Sequence, residues 1–101
     1  MAKIIQNVEE FDALLKSEKS VLVDFFATWC GPCRMFAPTF EEFASEHEEI
    51  ECVKIDVDVC GEIARRYGIM SIPTIILFKN GEPTKKNGGT LDFEELEDFA
   101  L

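Results

Sequence analysis

The chain has 101 residues, ten Lys plus Arg against twenty Asp plus Glu, a formal charge of −10 and an apolar fraction of 47%. That is one domain's length, with nine Phe and enough other apolar side chain for one core without disulfide staples. The charge balance argues against nucleic acid and anionic membrane surfaces as partners.

Met1-Ala2-Lys3-Ile4-Ile5 lacks the apolar stretch of an export signal, so a single cytoplasmic domain over residues 1–101 is expected. Thiols stay reduced in that compartment, and cysteine pairs there tend to be catalytic or metal-binding. Asn7 with Glu10 three residues on predicts a helix N-cap. Val8, Phe11, Leu14 and Leu15 then share one helical face, which predicts a helix from Val8 to Lys16. Val21 to Ala27 is a β-prone run interrupted only by Asp24, as in a central strand covered on both faces. Phe36, Phe40, Phe43, Ala44 and His47 recur at helical spacing, with Pro38 inside the pattern predicting a kink. Cys52 to Val57 reads as a second buried strand. Ile63, Ala64 and Tyr67 suggest a short helix stopped by Gly68, and Thr74 to Phe78 a third strand. Asn80-Gly81 is a hairpin signal, so Glu82 to Lys86 should return antiparallel. Asp92 with Glu95 makes a second capping box, leading Phe93, Leu96, Phe99 and Ala100 into a final helix. This order implies an α/β fold, a mixed sheet flanked by helices on both faces. The acidic clusters at Glu41 to Glu51 and Glu94 to Asp98 are expected to be solvated helix faces.

Cys30-Gly31-Pro32-Cys33 lies where a buried strand ends and a helix begins, the edge at which open α/β folds place their chemistry. Disulfide exchange needs a thiolate, and a helix start offers unpaired N–H groups and partial positive charge. Gly31 relaxes the turn, and Pro32 loses nothing by lacking an N–H in the first helical turn. Cys33 falls on the same helix face as Cys30, about 5–6 Å away at the side-chain roots, near enough to close a disulfide. Accessibility predicts Cys30 as the exposed nucleophile and Cys33 as the shielded resolving thiol. Half of a zinc site and an incidental pair are the alternatives, against which stand Trp29 before the pair and Gly-Pro within it. Asp24 is expensive to bury unless paired or protonated. Burial should raise its pKa toward neutrality, which suits a group exchanging a proton with Cys33. A satisfied structural acid or an exposed edge position is the alternative.

Several segments resemble the thioredoxin family in order and spacing: Val23-Asp24-Phe25-Phe26-Ala27-Thr28-Trp29-Cys30-Gly31-Pro32-Cys33, Ala37-Pro38, Val53-Lys54-Ile55-Asp56-Val57-Asp58, Tyr67-Gly68-Ile69, Ile72-Pro73-Thr74 and Phe78-Lys79-Asn80-Gly81-Glu82. The resemblance covers nearly the whole chain. It implies the thioredoxin fold, a central mixed four- to five-stranded sheet whose extra strand lies near Ile4-Ile5. It implies reduction of disulfide-containing client proteins, with electrons from NADPH through thioredoxin reductase and no bound cofactor or metal. Lys54, on the second strand, is the expected partner of Asp24, and the resemblance places its equivalent close by. The resemblance also makes the Ile72–Pro73 bond cis, facing the dithiol. The backbone of Ile72 can then pair with a client segment as a sheet edge would, while Pro73 keeps metals off the cysteines. Trp29, Gly31, Pro32, Gly68, Ile69 and Gly89 complete the client-facing rim, with core packing the competing role for Trp29. The net charge argues for a monomer.

The chain departs from the pattern at several places. Phe26 stands where many bacterial members carry a second Trp. Cys52 is expected to be an inert buried thiol. Cys60, near the start of a short helix, is a candidate for regulatory oxidation. The partner cysteines that some animal members have near it are Tyr67 and Ser71 here. His47 is expected at the surface and outside catalysis, and the last helix is shorter than usual. Two other functions compete: a docking subunit that does not turn over, and a metal or iron–sulfur carrier using all four cysteines.

Overall fold

The computed structural model describes residues 2–101. Its elements are β1 (Lys3–Ile4), α1 (Val8–Leu14), β2 (Val21–Phe26), α2 (Gly31–Glu46), β3 (Glu51–Asp56), α3 (Gly61–Arg66), β4 (Thr74–Lys79), β5 (Glu82–Gly88) and α4 (Phe93–Ala100). They form the expected α/β fold, one five-stranded sheet in the order β1-β3-β2-β4-β5. The β1–β3 and β3–β2 pairs are parallel and the β2–β4 and β4–β5 pairs antiparallel, so β4 alone runs against the others and the sheet is mixed.

The alternation of side chains along a strand decides what each face buries. Leu22 of β2, Cys52 of β3 and Ile75 and Leu77 of β4 pack with Phe36, Phe40 and Phe43 of α2 and Leu96 of α4. Val23, Phe25, Val53, Ile55, Ile76 and Phe78 face the other way, onto Phe11 of α1 and Ile63 of α3. Asp24 and Lys54 have the parity of the first set and sit opposite each other in the β2–β3 register. The fold therefore turns a carboxylate toward α2, the helix that begins at the cysteines.

Both predicted helix starts are present, with different geometry. Asp92 and Glu95 form the full reciprocal capping box. Asn7 accepts the N–H of Glu10 at 2.8 Å, but Glu10 Oε1 accepts from Gln6, one residue before the cap. The helix after Asn7 ends at Leu14 and not Lys16, because the next N–H groups bond three residues back, Lys16 to Ala13 and Ser17 to Leu14. Helix α2 is continuous across Pro38, which is exposed, as is Arg34, whose carbonyl loses the donor that a non-proline residue at 38 would supply. Strand β5 runs two residues past Lys86, since pairing continues to Thr74 with Gly88. Gly81 has φ +80° and a Cβ there would stand 3.3 Å from the Leu15 carbonyl, so the hairpin turn requires glycine.

His47, expected at the surface, is half-buried and joins two helices. It caps α2, lies over the Phe43 ring with a 4.5 Å centroid separation, and its Nε2 meets Glu97 of α4 at 2.8 Å. The hydrogen bond to the Glu97 carboxylate, with help from Glu49, raises its pKa above the ordinary 6.5. The charged pair therefore stabilises the fold below pH 6.5 and ceases to do so as pH rises through the raised folded value. We expect His47→Gln to lower the unfolding free energy measured in urea at pH 5.5 by about 1 kcal/mol or less, and to leave it unchanged at pH 9.

Candidate active site

The site forms where β2 ends. The N–H of Cys30 turns back to the carbonyl of Ala27, 3.2 Å away. Cys30 is the N-cap of α2, its backbone extended at φ −86° and ψ 112°, with Pro32 in the first turn. The capping atom is the sulfur: Cys30 Sγ accepts the N–H of Cys33 at 3.2 Å. Ser, Asp and Asn usually fill this position because an electron-rich side-chain atom meets an otherwise unpaired amide. A thiolate in the same place gains that amide together with the positive end of a 16-residue helix. Cys30 and Cys33 are joined as a disulfide with their Cα atoms 5.2 Å apart.

The exposure predicted for Cys30 is not observed. Cys30 is 5% exposed and Cys33 3%, and the two share a small cluster with Ala27, flanked by Phe26, Val57 and Ile72. The reason lies in a distant part of the chain. The cis Ile72–Pro73 segment before β4 stands against the helix start, with the Ile72 carbonyl 3.8 Å from Cys30 Sγ. Gly89, at the far end of β5, donates its N–H to the Pro73 carbonyl at 2.8 Å and holds that segment in place.

Trp29 does not enter the core: it is 67% exposed, and its Nε1 donates to Asp58 Oδ2 at 2.8 Å. Between its ring and Ile72 runs a groove that Ile69 also lines, with Met70 beside it. A second groove, of about 350 Å³, lies on the other side of the motif, between Pro32, Met35 and Leu91. Met35 is 82% and Met70 97% exposed, the most solvent-facing large apolar side chains among the described residues. Both escaped sequence reasoning, because a lone Met carries no signal that separates a rim from a core. Asp58 escaped it too, its hydrogen bond to Trp29 spanning 29 residues. Gly68 is outside the lining of either groove. Its φ of +63° ends α3, and its carbonyl accepts from Lys86 Nζ at 3.3 Å.

Asp24 is completely buried, and among the described residues neither carboxylate oxygen has a hydrogen-bond partner. Burial lifts its pKa to about 7. Lys54 pulls it down, and Glu41, on α2, adds to the rise. Lys54 is not bonded to Asp24, contrary to a simple pairing: no ion pair among the described residues joins them. Its ammonium lies over the Phe26 ring instead, 4.7 Å from the centroid. A cavity of about 230 Å³ separates Lys54 and Phe26 from Cys33 and Ala37.

The remaining cysteines lie elsewhere. Cys52 is buried on the α2 side of the sheet and Cys60 on the opposite side, so the four sulfurs do not converge. Burial pushes the Cys52 thiol up to about 12 and raises that of Cys60 as well. Cys60 Sγ donates to the Ile5 carbonyl at 3.7 Å and gives α3 no side-chain cap, so it lacks the exposure and acidity of a regulatory thiol. Among the described residues no helix is long and apolar enough to cross a membrane.

A thioredoxin family model matches residues 2–101. A thioredoxin from Mycoplasmoides gallisepticum is 45% identical over 97 residues, covering 96% of this chain and 97% of that protein. A bifunctional thioredoxin reductase/thioredoxin from Mycobacterium leprae is 53% identical over 83 residues, covering 81% of this chain and 18% of that protein. Among solved structures, a thioredoxin from Plasmodium falciparum superposes with a TM-score of 0.90 at 35% identity, covering 96% of this chain and 94% of that one.

Proposed function

The chain belongs to the thioredoxin family and is a thiol-disulfide oxidoreductase, and from that premise we propose a division of labour among its residues. The Cys30 thiolate attacks one sulfur of a client disulfide. The S–S bond of the client breaks, a mixed disulfide forms, and the departing client sulfur leaves as a thiolate that takes a proton. Cys33 then loses its proton and attacks Cys30 Sγ. This closes the Cys30–Cys33 disulfide and expels the second client thiolate, so the client gains two electrons and this protein loses two. Asp24 receives the Cys33 proton, for which a carboxyl titrating at about 7 is well matched. Lys54 tunes Asp24 by its charge.

Trp29, Gly31, Pro32, Ile69, Ile72, Pro73 and Gly89 form the surface a client meets, with the Ile72 backbone pairing an extended segment. Gly68 supports that surface from the end of α3. Residues 1–101 act as one monomeric domain in the cytoplasm. NADPH supplies electrons through thioredoxin reductase, a partnership supported by the Mycobacterium leprae relative that carries both names in one chain.

The observation that carries this reading is the Cys30 sulfur capping α2 with the Cys33 amide directed at it. Its test is a trap. Cys33→Ser, reacted with oxidised insulin, is expected to hold it through Cys30 in a mixed disulfide that dithiothreitol releases. The double variant with Cys30→Ser is expected to hold none. Equal capture by both would assign the chemistry to Cys52 or Cys60 and overturn the proposal.

A further inference from the structure

The placement of Lys54 calls for a physical cause. Lys54 is the direct register neighbour of Asp24 in the parallel β2–β3 pair, on the same face. Neighbouring strands lie about 4.8 Å apart, and a lysine stem is long enough to bring its ammonium onto the adjacent carboxylate. Asp24 is buried with both oxygens unpartnered, so nothing else competes for that position. Yet the ammonium rests over the ring of Phe26, two residues further along β2 and also facing α2, 4.7 Å from its centroid. An aromatic face at this distance attracts a cation through its quadrupole and lets it keep part of its water. The Asp24 site offers a full charge at the cost of complete desolvation. Phe26 is half-buried, and with Lys54 it lines the cavity that reaches Cys33.

We propose that Phe26 is a positioning residue for disulfide reduction: its ring seats the Lys54 ammonium at the mouth of the Cys33 cavity, holding it off Asp24 so that Asp24 remains free to accept a proton. This rests on the proton-accepting role given above to Asp24. The charged and titratable groups around Asp24 are few. Lys54 faces it from β3, Glu41 and Cys33 belong to the covering helix α2, and its register neighbour on β4, Ile75, is apolar. Burial contributes most to the proton affinity of Asp24 and Glu41 adds to it, while Lys54 opposes both, so the distance of Lys54 adjusts that affinity. An aromatic residue at position 26 thereby acts on the chemistry without touching a reacting atom.

The experiment follows the Asp24 carboxyl carbon and the Lys54 ε-methylene protons by NMR through a pH titration of the reduced protein. In the native chain the ε-methylene is expected upfield, shielded by the Phe26 ring current. In Phe26→Leu and in Phe26→Met that shielding should vanish and the Asp24 midpoint should fall by about one pH unit or more, as an approaching opposite charge requires. Phe26→Trp, which keeps an aromatic face, should restore both signals. Lys54→Met should raise the Asp24 midpoint, and adding Phe26→Leu to it should then change nothing. The pH at which mixed-disulfide resolution reaches half its maximum should follow the Asp24 midpoint through the series.

A Phe26→Leu midpoint equal to the native one overturns the proposal. So does an equal fall in the Lys54→Met background, since the ring would then act through packing alone. Failure of the Asp24 role is separately visible: Asp24→Asn would resolve mixed disulfides at the native rate, whatever the titrations show.

Discussion

Cys30→Ser is expected to lower the rate of insulin disulfide reduction by a factor on the order of 10³ or more, to the background set by dithiothreitol alone. The cause is electrostatic. Cys30 Sγ is an N-cap atom that accepts the Cys33 amide at 3.2 Å, and the positive end of α2 stabilises the thiolate that attacks. A serine hydroxyl makes the same capping bond but does not ionise near neutral pH, so the nucleophile is lost and the cap remains. The variant should therefore keep the unfolding temperature of the reduced native protein. No other sulfur can take over. Cys33 lies within the first turn of α2, and its sulfur is not the N-cap atom that receives the helix amide. Cys52 and Cys60 are buried, each with its thiol raised by desolvation. Activity within tenfold of the native chain would show that attack begins at a different atom.

Asp24→Ala is expected to stabilise the protein strongly at alkaline pH while slowing reduction. A carboxyl at about 7 in the fold, against the ordinary 3.8, binds its proton more tightly folded than unfolded. The unfolded chain thus holds fewer protons between these values, and stability falls as pH rises from about 4 to 7, with the full loss present above 7. The gap converts to roughly 4 kcal/mol. Alanine removes that penalty and leaves a small cavity that costs about 1 kcal/mol. The net expectation is a gain of about 3 kcal/mol at pH 8, shrinking to nothing or a slight loss at pH 3.5. Urea denaturation at the two pH values measures it. A gain of the same size at both would mean that charge burial is not the cause. In the same variant the resolving step should slow and lose its inflection near pH 7, because Cys33 then surrenders its proton to water.

These two expectations differ in how early they could be formed. The role of Cys30 follows from the order of residues: a buried apolar run, then Cys-Gly-Pro-Cys, then apolar positions at helical spacing. Capping, proline tolerance and thiolate stabilisation act over three or four residues, so the local sequence contains their causes. The same holds for the Asn80-Gly81 hairpin and the Asp92–Glu95 box. That Asp24 would be buried also followed from its neighbours. That it would lack any partner did not, because Lys54 was equally able to reach the carboxylate or the Phe26 ring.

Element order, the α/β class and the chemistry of the cysteine pair were written in the chain itself, since backbone periodicity and helix capping are short-range effects. Tertiary packing settled the rest. It pressed Ile72 against Cys30 and buried a sulfur that accessibility along the helix would have exposed. It turned Trp29 outward to Asp58, bound His47 to Glu97, and drew Lys54 away from Asp24. All of these contacts join residues 28 to 50 positions apart. Each is a choice between sites of similar local merit, and only the desolvation and space available in the assembled fold separate them.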